Sequence, residues 1–164
     1  MTMSEHLEIV AHHEAGHAVA AVMRGGSLLL SVELSPGGPE RDGITWARAK
    51  QFDSAFMSWS GPWAEARYQW GERALDAEDE DGATFSDYVA GVFLAGGRDD
   101  AGAIRQSRRA EPYQVPAELI AASERVWSME LERAWPAVQE VARLLIAGST
   151  VTDVEVRRLT DQCL

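Results

Sequence analysis

Near its start the chain reads His13-Glu14-Ala15-Gly16-His17, two imidazoles four positions apart with a carboxylate beside the first. On an α-helix residues four apart share a face, so both rings can close on one metal ion while Glu14 flanks it. This is the HExxH layout of a zinc hydrolase. A catalytic zinc takes three protein ligands and leaves its fourth position to water. His13 and His17 supply two, and a third must come from elsewhere. Glu14 is not expected to touch the metal. Zinc lowers the pKa of its water to about 7, and a neighbouring carboxylate can take that proton during attack on a carbonyl and pass it to the leaving amine. The bond broken would be a peptide or amide bond. The pattern fixes three positions only and also arises by chance on ordinary helices, so its setting matters. His6 and His12 have no partner at such spacing and read as solvated histidines.

The motif needs a helix to hold it. From Ser4 to Arg24 the apolar residues Leu7, Ile9, Val10, Ala18, Val19, Val22 and Met23 recur without a proline, and Gly25-Gly26 is a good stop. Leu28 to Leu34 then predicts a strand, Ser35-Pro36-Gly37-Gly38-Pro39 a turn, and Gly43 to Ala49 a second short strand. Such a hairpin could pair with an extended peptide at its edge. From Gln51 to Trp70 helical spacing returns, with Phe52, Phe56, Trp59, Trp63 and Trp70 as a core stripe and Gly61-Pro62 expected to interrupt it.

The run Asp76-Ala77-Glu78-Asp79-Glu80-Asp81-Gly82 fails as a calcium loop. An EF-hand register ending on Gly82 would put Ala77 at the first ligand position and Tyr88 where the bidentate glutamate belongs. It predicts a mobile acidic loop instead. Ala83 to Leu94 reads as a helix ended by Gly96-Gly97, and Asp99 to Arg109 as a short helix or ordered loop. Pro112 and Pro116 precede a long helical stretch, Ala117 to Ile146, which Pro136 should kink or split. Thr152-Asp153-Val154-Glu155 fits a capping box that opens a last helix.

The 164 residues fit one domain, 1–164, mainly α with a small β-hairpin or sheet. With 26 acidic and 15 basic side chains the net charge is -11, which argues against nucleic acid or an anionic membrane as the main partner. Cys163 is the single cysteine, so neither an intrachain disulfide nor a Cys-rich zinc ribbon is possible. The first residues lack the basic and apolar regions of a signal peptide, and no apolar run reaches the roughly 20 residues of a membrane span. The expectation is a soluble cytoplasmic protein.

The segment Ala11-His12-His13-Glu14-Ala15-Gly16-His17-Ala18-Val19 resembles the zinc-site helix of the FtsH-type proteases, a zincin-type peptidase domain normally fused behind an AAA+ ATPase. Gly61-Pro62-Trp63-Ala64-Glu65 is similar to that family's glycine-rich Ala-Glu helix, Gly82-Ala83 with Asp87 to its Gly-Ala-x-x-Asp segment, and Trp135 to Leu159 to its closing helices. The resemblance implies an FtsH-like peptidase fold, with His13 and His17 binding Zn2+, Glu14 as general base and Asp87 as third ligand from a separate helix. Thr84-Phe85-Ser86 makes the segment before Asp87 one residue longer than the family pattern. Sequence proximity alone sets the acidic loop Asp76 to Asp81 near Asp87, where it would restrict or select what enters the site.

Other readings of these residues stay open. Asp87 could instead stabilise the first turn of its helix. Glu65 is a rival third ligand of the thermolysin kind, or a carboxylate that orients an imidazole from behind, and Asp79 and Asp81 are further carboxylates. Lys50 is the single lysine, with Ala49 before it, so no G-x-x-x-x-G-K-[ST] phosphate loop exists and the chain by itself cannot be ATP-driven. The expected partners are a polypeptide substrate and either a separate unfoldase or further copies in a homo-oligomer. The alternative is a non-catalytic descendant that keeps the metal for binding or regulation.

Overall fold

The computed structural model describes residues 2–24, 28–34, 43–48, 53–96, 98–109 and 115–164. The first helix, α1 (Met3–Met23), is opened by a capping box that the sequence reading did not single out. Thr2 Oγ1 accepts from Glu5 N at 3.2 Å and Glu5 Oε2 accepts from Thr2 N at 2.6 Å, which satisfies two orphan donors at once. The expected stop at Gly25-Gly26 lies outside the described residues. Ala11, Ala15, Ala18, Val19, Ala20 and Ala21 are wholly buried, so α1 is the central helix of the core. Its partners are a second helix, a sixth, a seventh and both strands.

Small residues decide how closely that packing is drawn. The helix α2 (Ser54–Trp70) crosses α1 at Gly16, where an added Cβ would lie 2.5 Å from Ser60 O and 2.6 Å from the Ala64 Cβ. The expected interruption at Gly61-Pro62 does not occur, and α2 runs through it. Proline has no N–H to give the carbonyl four residues back, here Ser58. In the same turn Met57 O accepts from Ser60 Oγ at 2.6 Å. The aromatic stripe is core, as its spacing predicts. Phe56, Trp59, Trp63 and Trp70 are buried, and Trp63 meets Phe85 and Trp135 edge-on at 5.7 and 6.0 Å between centroids. Phe52 lies outside the described residues.

The strands β1 (Leu28–Leu34) and β2 (Gly43–Arg48) form a two-stranded antiparallel sheet with Val32 opposite Thr45. Residues 35–42, where a turn was expected, lie outside the described residues. On its other side Val32 exchanges backbone hydrogen bonds with Val151. The sheet lies against α1, and a Cβ on Gly43 would come within 2.7 Å of Glu14 Cγ.

Beyond α2 come α3 (Phe85–Ala95), α4 (Arg98–Arg109), α5 (Ala117–Arg133), α6 (Trp135–Ile146) and α7 (Asp153–Asp161). Pro136 splits the long helical stretch as expected, with Ala134 as the joint and the proline in the first turn of α6, where its missing N–H is harmless. Helix α7 starts where predicted, but Thr152 makes no side-chain cap. Asp153 instead takes Arg157 at 2.7 Å one turn on.

The acidic run is not the mobile loop its charge suggested. The Asp79 carboxylate accepts from Asp81 N at 3.0 Å, Ala83 N at 2.8 Å and the Tyr88 hydroxyl at 3.0 Å. One aspartate thus gathers the donors of a tight turn, and Gly82 takes the left-handed conformation the turn requires. No helix among the described residues is long and apolar enough to cross a membrane.

Candidate metal centre

His13 and His17 project from one face of α1, and the Nδ1 atom of each is occupied from α2. His17 Nδ1 donates to Met57 O at 2.7 Å. A carbonyl can only accept, so that ring carries a proton on Nδ1 and turns Nε2 toward the site. His13 Nδ1 donates to Glu65 Oε2 at 3.0 Å, the carboxylate-behind-histidine arrangement common to metal ligands. The two Nε2 atoms stand 3.2 Å apart.

The first turn of α4 completes the group. Asp100 Oδ2 lies 3.3 Å from His13 Nε2, and Asp100 Oδ1 lies 3.4 Å from His17 Nε2. A tetrahedral zinc with bonds near 2.0 to 2.2 Å separates its ligand atoms by about 3.3 to 3.5 Å. The Nε2–Nε2 edge of 3.2 Å and the His13 Nε2–Asp100 Oδ2 edge of 3.3 Å are close to that spacing, while the 3.4 Å contact of His17 runs to the other carboxylate oxygen, so the Asp100 carboxylate spans the two imidazoles. Among the described residues, His13, His17 and Asp100 form the group of three metal-ligating side chains that converges in this way.

Gly61 leaves the space such an ion needs. A Cβ on this residue would lie 2.3 Å from His17 Nε2 and 2.8 Å from His13 Nε2, too close for either ring to keep its place. Any larger residue would put carbon where the two nitrogens converge.

The electrostatics ask for a cation. Burial would push the His13 imidazolium down, but hydrogen bonds to Asp100 and Glu65 and the fields of Asp100 and Glu14 outweigh it, and His13 is pushed up to about 10. Burial would raise Asp100, yet its contacts with His13 and His17 hold it well below the usual carboxylate range. Without a metal the cluster therefore keeps a proton in its place.

Glu14 is steered from the sheet. Thr45 Oγ1, on β2, lies 2.6 Å from Glu14 Oε2 and 3.1 Å from Glu14 O, so the hydroxyl proton goes to the nearer carboxylate oxygen and fixes its direction. Among the described residues the other Glu14 carboxylate oxygen has no hydrogen-bond partner.

Asp87 is not brought into this group. Its carboxylate closes the capping box of α3, with Oδ2 accepting from Thr84 N at 2.8 Å and Thr84 Oγ1 at 2.7 Å, while Asp87 N donates to Thr84 Oγ1. Those bonds to Thr84 hold it below the usual carboxylate range. The first-turn role is thus the one the structure assigns it, and the carboxylate that reaches the imidazoles opens the next helix instead. Glu65 lies behind His13 rather than among the converging ligand atoms. Asp79 is engaged in its own turn, and Asp81 is outside the group. The acidic loop remains beside Asp87 through the Glu78–Thr84 bridge and contributes no residue to the group.

His12 is a further correction. It is 8% exposed rather than solvated, stacks on Tyr68 at 4.3 Å and donates from Nδ1 to Glu8 O at 2.7 Å. Set between Tyr68 of α2 and Trp135 of α6, it is part of the packing. Sequence reasoning missed Asp100, Thr45 and the reason for Gly61. Asp99-Asp100 at a helix start was the one available signal for the first, and it is the same signal Asp87 offers. No family model, curated protein or solved structure matches the chain.

Proposed function

We propose that the chain is a zinc-dependent peptidase in which His13, His17 and Asp100 hold the metal and Glu14 is the general base. The observation that carries this reading is the convergence of both Nε2 atoms on the Asp100 carboxylate, with both Nδ1 atoms already engaged. Zinc bound there would act as a Lewis acid, polarising a carbonyl and acidifying water. Glu14, aligned by Thr45, takes the proton of the attacking water and returns it to the departing amine. Glu65 keeps the His13 ring oriented and its Nε2 basic. Asp100 supplies the negative charge that offsets a divalent ion.

The FtsH-type peptidase fold belongs to the same proposal, supported by the HEAGH sequence on α1 and the neighbouring Gly61 and Glu65 on α2. The substrate is a polypeptide that reaches the site already extended, delivered by a separate unfoldase or bound by an assembly of copies. The test uses the full chain, its zinc content and an unfolded test protein. Glu14→Gln is expected to keep stoichiometric zinc and to abolish cleavage. Cleavage that survives this change overturns the assignment of Glu14, and absence of cleavage by the zinc-loaded native chain favours the non-catalytic metal-binding descendant.

A further inference from the structure

A second feature of the molecule is a cavity of about 770 Å³ between α3, α4 and α5, within the range of small-molecule sites. Its apolar lining includes Trp59, Phe85, Val89, Phe93 and Ile104. Helix α5 is pinned to α2 by Arg67 on Glu132 at 2.8 Å and by Trp63 Nε1 donating to Ser128 Oγ at 3.0 Å. Its preceding turns, at Ala121, Glu124 and Arg125, form a wall of the cavity. None of the lining residues is His13, His17 or Asp100.

The charges around this cavity run against those of the chain. Acidic side chains outnumber basic ones by 26 to 15, yet Arg105, Arg108 and Arg125 all line it, against Asp76 and Glu124. Arg108 and Glu124 satisfy each other at 3.1 Å. Arg105 and Arg125, from two different helices, have no ion pair among the described residues. Two exposed guanidiniums at the rim of an apolar floor, without an ion pair among the described residues in a molecule with acid to spare, match a ligand that brings its own carboxylate. Guanidinium groups suit that partner, offering paired donors in carboxylate geometry.

We propose that this cavity binds a small monocarboxylate with an apolar tail, of the fatty-acid kind. The tail lies over Trp59, Phe85 and Ile104, and the carboxylate is taken by Arg105 and Arg125. This is a binding site separate from the metal centre and does not rest on the peptidase reading.

The test titrates decanoate and decanol into the full chain, followed by calorimetry and tryptophan fluorescence. Decanoate is expected to saturate at one per chain and to bind at least about tenfold more tightly than decanol, the worth of a charge-assisted pair. Combined Arg105→Ala and Arg125→Ala should remove that preference and leave decanol binding as it was. Ala90→Trp, at an exposed lining position, should block both ligands while circular dichroism shows the helices intact. No saturable binding, equal affinity for the two head groups, or decanoate binding that survives Ala90→Trp overturns the proposal. The head-group comparison needs no variant, so it stands whether or not the substituted chains fold.

Discussion

Gly61 faces His17 so closely that a Cβ on it would lie 2.3 Å from Nε2. The glycine of α2 thereby keeps clear the space beside the two imidazoles of α1. Gly61→Ala is expected to cost about 1–3 kcal/mol through overpacking and to displace one or both rings. Zinc should then no longer raise the melting temperature. An alanine variant that binds zinc as the native chain does would show that the ion sits elsewhere.

Asp100 and Asp87 separate cleanly by their effects. Asp100→Ala is expected to abolish stoichiometric zinc, since it removes one of three ligand side chains. Asp87→Ala should leave zinc in place and cost about 1 kcal/mol, the usual worth of a helix cap. Metal analysis and urea unfolding of the two variants decide the matter, and the reverse outcome would restore Asp87 as ligand.

Thr45 is a positioning residue for Glu14. Thr45→Val keeps the β-branched shape that suits a strand and removes the donor that lies 2.6 Å from Glu14 Oε2. Zinc content and KM are expected to hold, while kcat falls by about tenfold, the effect of a lost hydrogen bond to a charged group. Thr45→Ser should recover most of it. A purely structural role would instead lower stability and spare kcat.

Removal of metal should expose a pH dependence with a defined sign. His13 is pushed up to about 10 from an ordinary 6.5, so its contribution to stability is full below pH 6.5 and is lost as pH rises through about 10. Asp100 is held below its ordinary 3.8, so its contribution is present above pH 3.8 and is lost as pH falls toward its own lower value. The chelated protein is therefore expected to be most stable between those ordinary values and to weaken on the alkaline side. Zinc takes neutral imidazole, so the loaded protein should not show this alkaline loss. Melting curves with chelator and with zinc check both halves, and a flat alkaline limb in chelator would contradict the His13–Asp100 pairing.

Local pattern made much of this protein legible. Helical spacing and the absence of proline place His13, Glu14 and His17 on one face of α1, because residues four apart on any α-helix must meet. The apolar runs at Leu28–Leu34 and Gly43–Arg48 give the two paired strands, and Pro136 marks the break between α5 and α6. Where reading failed, a partner distant in sequence had overridden the local signal. Pro62 was expected to break α2, but that helix is held by the burial of its aromatic stripe. His12 was taken as solvated because its contacts with Tyr68 and Trp135 come from other helices. Asp79 turns a run of like charge into a closed turn through hydrogen bonds that charge counting does not reveal.

By itself the sequence determined that His13, Glu14 and His17 share one helix and that the two imidazoles share one face, all of which depends on spacing along one element. It could not choose the carboxylate that joins the two imidazoles. Asp87 and Asp100 each stand in the first turn of a short helix, and each has the same local reason to be there. Which helix start faces α1 depends on how α3 and α4 pack on α2, a matter of buried shape rather than sequence position. The tertiary structure directs Asp87 back onto Thr84 and brings Asp100 within 3.4 Å of both imidazoles. The same packing sets Gly61 against the histidines and Thr45 against Glu14, because close approach between elements is decided only when their surfaces meet.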